Sequence, residues 1–489
     1  MSSDHKRDAP LEMDGARFRE LGYRAVDHVA DLLDSLRDKP VNGDLTPTEI
    51  RALLPAELPL QGQDAGALLD ETARTLFDHS LFNGHPNFLG YITSSAAPIG
   101  ALADLLAASV NPNLGGWQLS PVASEIEGQT VRWIGELMGY PVGGGLLVSG
   151  GNMANITAFL AARRNKLGEG VRRGGLIDAG ERPTAYASSE THTWLQKAAD
   201  LSGLGTDSLR WIDVDERGCI KINSLRETIR ADREAGCRPF LVVGTGGSVS
   251  TGAIDALDQL AEVAESEDLW FHVDGAYGAL AALVPELHDR FRGMELADSV
   301  AVDPHKWLYA PLEAGCTLVR DARTLPDAFS YTPVYYHFGG EEDPRTNYYE
   351  VGLQNSRGFR ALKVWLAIRQ VGRRGYEKMI GDDCRVARAL YDAVVRSEDL
   401  EALGHDLSIT TFRYAPAKTP RDVTDREAWL DEINTRLLER LKASGELFVS
   451  NAVVGGRFAL RACVVNFRTS FADAEAVPGI VLRHARKLA

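Results

Sequence analysis

The chain has 489 residues, 44% of them hydrophobic and 25% charged, and a formal net charge of −15. That length exceeds one hydrophobic core and predicts more than one domain. The acidic balance excludes nucleic acid as the main partner, and attachment to an anionic membrane through bulk charge, but leaves room for a local basic pocket.

Five scattered cysteines without a CxxC pair predict reduced thiols rather than disulfides or a zinc site, so no metal is expected. The polar start, MSSDHKRDAP, does not read as a signal peptide, and no apolar run approaches the roughly 20 residues of a membrane span. A soluble, cytoplasmic protein is expected.

Residues 14–37 read as an amphipathic helix, with Phe18, Leu21, Ala25, Val29, Leu32, Leu33 and Leu36 at helical spacing, until Pro40 and NGDLTP end it. Packing on its own domain and docking on a second subunit are both open. From about Gly145 to Arg320, short apolar runs (GLLVSG, PFLVVG, LWFHVD, DSVAVD, GCTLVR) alternate with helical stretches such as 152–164 and 256–267. This is the pattern of βαβ units around a mostly parallel sheet, with antiparallel edge pieces possible late in the run.

Residues 331–356 are polar, tyrosine-rich and without a sustained period, as expected of a functional or disordered loop. Helical patterns resume at Arg357. ELFVSN and RFALRACVVNF, parted by Gly455–Gly456 and followed by a helix, predict a smaller α+β domain. The expected division is an N-terminal helical arm (1–95), a large α/β domain (96–380) and a small C-terminal domain (381–489).

Four features converge on one cofactor. In LLVSGGNMANITAFLAARR an apolar strand ends at Ser149, two glycines follow and a helix begins near Asn152. Glycines permit close backbone approach, and free N–H groups at a helix N-terminus suit a phosphate. Taken alone, this is also a plain β–α turn. In WFHVDGAYGA a strand ends at Asp274, beside the small Gly275 and Ala276. Such a carboxylate either caps the next helix or, in an enzyme using pyridoxal phosphate (PLP), keeps the pyridine nitrogen protonated.

VDPHKWLY follows another strand, so Lys306 is expected at the same sheet edge as Asp274, where open α/β sheets bind ligands. A partly desolvated amine beside a cationic His305 is expected to have a lowered pKa and to serve as a Schiff-base nucleophile. In SSETHTWLQKAA, His192 precedes a helical run and either stacks on the cofactor ring or caps the helix.

Together these segments resemble the group II PLP-dependent amino acid decarboxylases, the family of aromatic L-amino acid decarboxylase and glutamate decarboxylase. The resemblance runs through FRELGYRAVDHVADLL, HPNFLGYI, SPVASEIE, HVDGAYGA, DPHKW and GFRALKVW, and so covers most of the chain. It implies PLP fold type I, a carboxy-lyase acting on an L-amino acid, and a homodimer with arm exchange.

The resemblance also implies roles. Lys306 carries the cofactor and Asp274 pairs with the pyridine nitrogen. Ala276 packs near the ring and His192 stacks on it. Gly150, Gly151 and Asn152 hold the phosphate, with Asp303 and His305 nearby. Asp303 departs from the asparagine of some relatives, and Ser248 matches a hydroxyl position near the cofactor. Tyr348, with Tyr349 adjacent, falls on the family's mobile-loop tyrosine, the proton donor after carbon dioxide leaves.

Phe88, Tyr91, Ile92 and Trp307 are expected around an apolar, aromatic substrate side chain. NPNLGGWQLSP, however, is glycine-rich where aromatic-specific relatives are bulkier, which keeps a different side chain open. An aldehyde synthase or aminotransferase of the same fold is the alternative. An aminotransferase would need a carboxylate-binding arginine, and Arg461, on an alternating strand, reads as structural. A non-catalytic binding module would typically have lost Lys306 or Asp274, and both are present.

Overall fold

The computed structural model describes residues 9–43, 45–179, 182–331, 345–421 and 423–488. Seven strands form the larger sheet: β1 (Gly144–Val148), β2 (Arg182–Ser188), β3 (Leu209–Ile212), β4 (Cys237–Thr245), β5 (Trp270–Asp274), β6 (Ser299–Val302) and β7 (Gly315–Val319). Their order is β1-β7-β6-β5-β4-β2-β3. The pairs among β2 to β6 are parallel, whereas β7 runs antiparallel to both β6 and β1.

The continuous apolar runs follow from burial on both faces. Successive side chains of a strand point to opposite faces. Leu241 and Val243 accordingly pack with Phe159 and Trp194, while Val242 packs with Ile229, Leu257 and Leu260. Parallel register brings the carboxyl ends of the strands level, with Thr245 opposite Asp274 and Asp274 opposite Ala301. The residues just beyond β4, β5 and β6 therefore share one edge.

The smaller sheet is antiparallel, in the order β10-β11-β9-β8, from β8 (Leu400–Asp406), β9 (Ile409–Tyr414), β10 (Ser450–Val454) and β11 (Arg457–Cys463). Gly455 and Gly456, at φ +56° and +77°, turn the β10–β11 hairpin in the left-handed region such two-residue turns require.

The helical stretch Ala361–Val395 is two helices joined across a kink at Gly372 (φ 68°, ψ 166°), and the second continues past residue 380. Ala361, Val364 and Ile368 pack on the large-domain core, and Val386, Leu390 and Val394 on the small one. The division expected at 380–381 falls within this helical stretch, whose residues pack on both cores.

Helix Gly15–Ser35 is capped by Asp14, whose Oδ1 accepts the Arg17 N–H at 2.8 Å. Its apolar stripe is largely uncovered, with Leu21 buried but Phe18, Tyr23 and Val29 exposed. Leu102, Leu105 and Leu106 of helix Pro98–Val110 are exposed as well. Among the described residues no helix is long and apolar enough to cross a membrane.

Candidate active site

β1 delivers the chain to helix Gly151–Leu167 through Gly150, at φ +131°, and no side chain caps that helix. A Cβ at Gly151 would lie 2.6 Å from Asp303 Oδ2 and 3.1 Å from the Ala276 Cβ. The first turn is thus a bare set of N–H groups facing a space that only glycine leaves open, a ready site for an anion.

Asp274 ends β5 and is 8% exposed. Its Oδ2 accepts the Trp194 indole N–H at 2.7 Å and its Oδ1 the Ala276 N–H at 3.2 Å. Trp194 meets the His272 ring edge-on, with centroids 5.7 Å apart. His272 lies 2.7 Å from Asn155 Oδ1 through Nε2 and 2.9 Å from Ser299 Oγ through Nδ1. Burial lowers its pKa to about 4, so the ring is neutral: Nε2–H donates to Asn155 and Nδ1 accepts from Ser299. Trp194, His272, Asn155 and Ser299 were not anticipated from the sequence.

Lys306 lies in the turn after β6, with Nζ 2.9 Å from Asp303 Oδ2, and His305 Nε2 lies 3.6 Å from the same oxygen. The expected cationic His305 is corrected. Burial pushes its pKa down, and its Nδ1 accepts the Ala314 N–H at 3.2 Å, as a neutral ring does. The charged neighbour of the amine is a carboxylate, not an imidazolium.

His192 stands across a cavity of about 230 Å³ that Gly151, Asn152, Asp274, Ala276 and Lys306 also line. Burial is the main cause lowering its pKa, and its Nδ1 accepts the Trp194 N–H at 3.3 Å. A glycine-floored anion cradle, a carboxylate held from behind and an amine thus share one small chamber.

A model of the pyridoxal-dependent decarboxylase conserved domain matches residues 47–414. The chain belongs to the pyridoxal-dependent decarboxylase family. It is 32% identical over 463 residues to an aromatic-L-amino-acid decarboxylase of Bacillus atrophaeus, covering 94% of each chain. It is 30% identical over 464 residues to a phenylacetaldehyde synthase of a Rosa hybrid cultivar, covering 92% of this chain and 90% of that one. The structure of Oryza sativa TDC with PLP and tryptamine matches with a TM-score of 0.90 at 27% identity, over 99% of this chain and all of that one. Mouse CSAD in its apo form matches with a TM-score of 0.90 at 27% identity, over 96% and 99% of the two chains.

The cofactor of this decarboxylase family is pyridoxal phosphate. The residues present fit it: a phosphate has the uncapped helix start, a pyridine nitrogen has Asp274, and an aldehyde has Lys306.

Four other expected residues of the decarboxylase stand elsewhere. Ser248 is not on the cavity wall, although its neighbours Gly247 and Val249 are; its Oγ lies 2.9 Å from Thr251 Oγ1. Trp307 is fully buried, with its indole N–H donated to Asp383 Oδ2 at 3.1 Å. It points into the core and is not a substrate wall, and the Tyr309 hydroxyl donates to the same Asp383 oxygen at 2.8 Å. Phe88 stacks on Phe448 at 5.2 Å, again away from the chamber.

Tyr348, expected as the loop acid, is buried in this chain. It is 1% exposed, packed with Leu146, Val148 and Leu325, and its hydroxyl is 3.4 Å from the Ser124 carbonyl. Its ring lies against Arg357, which pairs with buried Glu127. Tyr348 and the 9%-exposed Tyr349 are both buried here. Residues 332–344 of the expected loop lie outside the described residues.

Tyr91 is 56% exposed at φ +52°, and its carbonyl accepts from Arg461 Nη1 at 3.2 Å. Ile92 is partly buried against the large core. Arg461 is 2% exposed, and its Nε and Nη2 have no hydrogen-bond partner among the described residues. A buried guanidinium that lacks a carboxylate is costly unless something supplies one.

Proposed function

We propose that this protein removes the carboxylate of an L-amino acid, with an aromatic side chain favoured, to give the amine and carbon dioxide. The observation that carries the reading is one chamber holding Lys306, Asp274 and His192 above an uncapped glycine cradle.

Bound pyridoxal phosphate supplies the sink for the electron pair left at the substrate Cα when carbon dioxide departs. Lys306 offers the amine that tethers the cofactor. Asp274 holds a proton on the pyridine nitrogen, and Trp194 keeps its carboxylate aimed. Gly150, Gly151 and Asn152 receive the phosphate, and Ala276 leaves room for the ring. His192, neutral through burial, offers a flat face to the cofactor rather than a charge. Arg461, with two free nitrogens, accepts the substrate carboxylate. Tyr91 and Ile92 border the substrate side chain.

The similarity to the Bacillus decarboxylase supports the aromatic preference, and the similarity to the Rosa synthase makes aldehyde the product to exclude. A screen of L-amino acids should release carbon dioxide and amine in equal amounts from an aromatic substrate. Aldehyde with oxygen uptake would make the protein a synthase. A bound cofactor without turnover of any amino acid would make it a binding module.

The uncovered apolar faces of helices Gly15–Ser35 and Pro98–Val110 support a homodimer. Sedimentation of an active monomer would refute it. Five free cysteines support a cytoplasmic site.

A further inference from the structure

A second cavity, of about 520 Å³, shares no lining residue with the chamber. That volume suits a small organic ligand. Three guanidiniums line it, those of Arg163, Arg164 and Arg172, together with Leu160, Val171 and Phe329. Among the described residues no acid lines it, in a chain with 68 acidic and 53 basic residues.

Ordinary structural roles account for only part of this. Arg164 pairs with the exposed Glu169 and stands in the last turn of helix Gly151–Leu167, where the helix dipole favours a cation. Arg163 has no acid. Its Nη1 donates to the Ser202 carbonyl at 2.7 Å, its Nε is buried without a partner among the described residues, and burial lowers its pKa. Arg172 belongs to the next helix, Glu169–Gly174, and donates to the carbonyls of Asp327, at 2.9 Å, and Ser330. Its guanidinium lies over the Tyr331 ring, 4.0 Å from the centroid. Two half-buried cations thus line one space with neutral carbonyls as their hydrogen-bond partners. A desolvated charge without a counter-charge is costly.

We propose that this cavity binds an aromatic carboxylate that carries no amine. The guanidiniums pair with the carboxylate, for which their planar forks are matched. Leu160, Val171 and Phe329 bury the ring. An amino acid or an amine brings an ammonium for which the wall has no acid, so the site selects against both the substrate and the product of the reaction proposed above. The inference does not rest on the cofactor reading, because the two sites share no residue.

The probes are 3-phenylpropanoate, 3-phenylpropan-1-ol, which lacks the charge, and the N-trimethyl betaine of phenylalanine, which adds a fixed positive charge and cannot react with an aldehyde. Calorimetry on the full chain loaded with one equivalent of PLP should show saturable binding of phenylpropanoate. The alcohol and the betaine should bind about tenfold or more weakly, as the loss of a charge-assisted contact implies. Arg163→Gln and Arg172→Gln should each weaken phenylpropanoate binding about tenfold or more, with the cofactor absorption band unchanged.

Unchanged binding in either variant places the probe elsewhere, the chamber included, and overturns the proposal. So does equal affinity for the alcohol or the betaine, or no saturable binding by the wild type. The wild-type titrations do not depend on a variant folding. If no cofactor band forms, the cofactor reading fails, and the phenylpropanoate titration still decides this inference.

Discussion

The indole N–H of Trp194 meets Asp274 Oδ2 at 2.7 Å, inside the core and on the side of the carboxylate away from solvent. A buried hydrogen bond to a charged acceptor contributes about 1.5–3 kcal/mol. Trp194→Phe keeps an aromatic ring but removes the donor. Turnover should fall roughly tenfold or more while the cofactor stays bound. Steady-state kinetics beside the absorption spectrum tests this, and unchanged turnover would make the contact structural only.

Asp274→Ala should leave the fold close to native and abolish carbon dioxide release, since it removes the carboxylate that Trp194 and the Ala276 N–H hold in place. Circular dichroism reports the first and gas evolution the second. Borohydride reduction followed by peptide mapping should place the pyridoxyl group on Lys306. A label on a different lysine would end the assignment.

For Arg461 the two free nitrogens give the direction of effect. Arg461→Lys keeps the charge but loses the planar fork. The KM for the amino acid should rise on the order of tenfold or more, with PLP affinity little changed. A fall in PLP affinity at constant KM would place the guanidinium elsewhere in the reaction.

Burial of Tyr348 reverses what its sequence neighbourhood suggests. With only a 3.4 Å contact to Ser124 O at stake, Tyr348→Phe should cost about 1 kcal/mol or less and leave the amine-to-aldehyde ratio unaltered. Oxygen uptake recorded with the product ratio decides this. Aldehyde and peroxide from the variant would restore the tyrosine as proton donor.

His272 supplies a pH prediction. Its pKa falls from about 6.5 in the unfolded chain to about 4 in the fold. Below about pH 6.5 the unfolded chain takes up this proton first, so stability is lost as pH falls, by an amount on the order of a few kcal/mol. Urea unfolding at neutral and mildly acidic pH should reveal the loss, and His272→Asn should show less of it.

The parallel strands were legible because burial on both faces writes them as unbroken apolar runs, and LWFHVD and DSVAVD fall on β5 and β6. Asp274 and Lys306 were legible because each follows such a run. Side-chain direction was not. Trp307 adjoins Lys306 in sequence but turns inward to Asp383, and Phe88, in a segment expected to line the chamber, is claimed by Phe448. The support behind the site was silent for a different reason. Trp194 reads as one apolar residue of a helix, and its indole partner lies 80 residues on. Arg461 lies on a correctly anticipated strand, but its Nη1 donates to the Tyr91 carbonyl, 370 residues away.

Asp383 has one further implication. It sits on the helix shared by both bodies, and it grips Trp307 and Tyr309, the residues that follow Lys306 in the turn. The helical stretch that packs on both cores therefore also holds the turn that carries Lys306. Exchanging the C-terminal part for that of a relative by a graft near residue 380 would put Asp383 and the two aromatic residues it binds on chains of different origin.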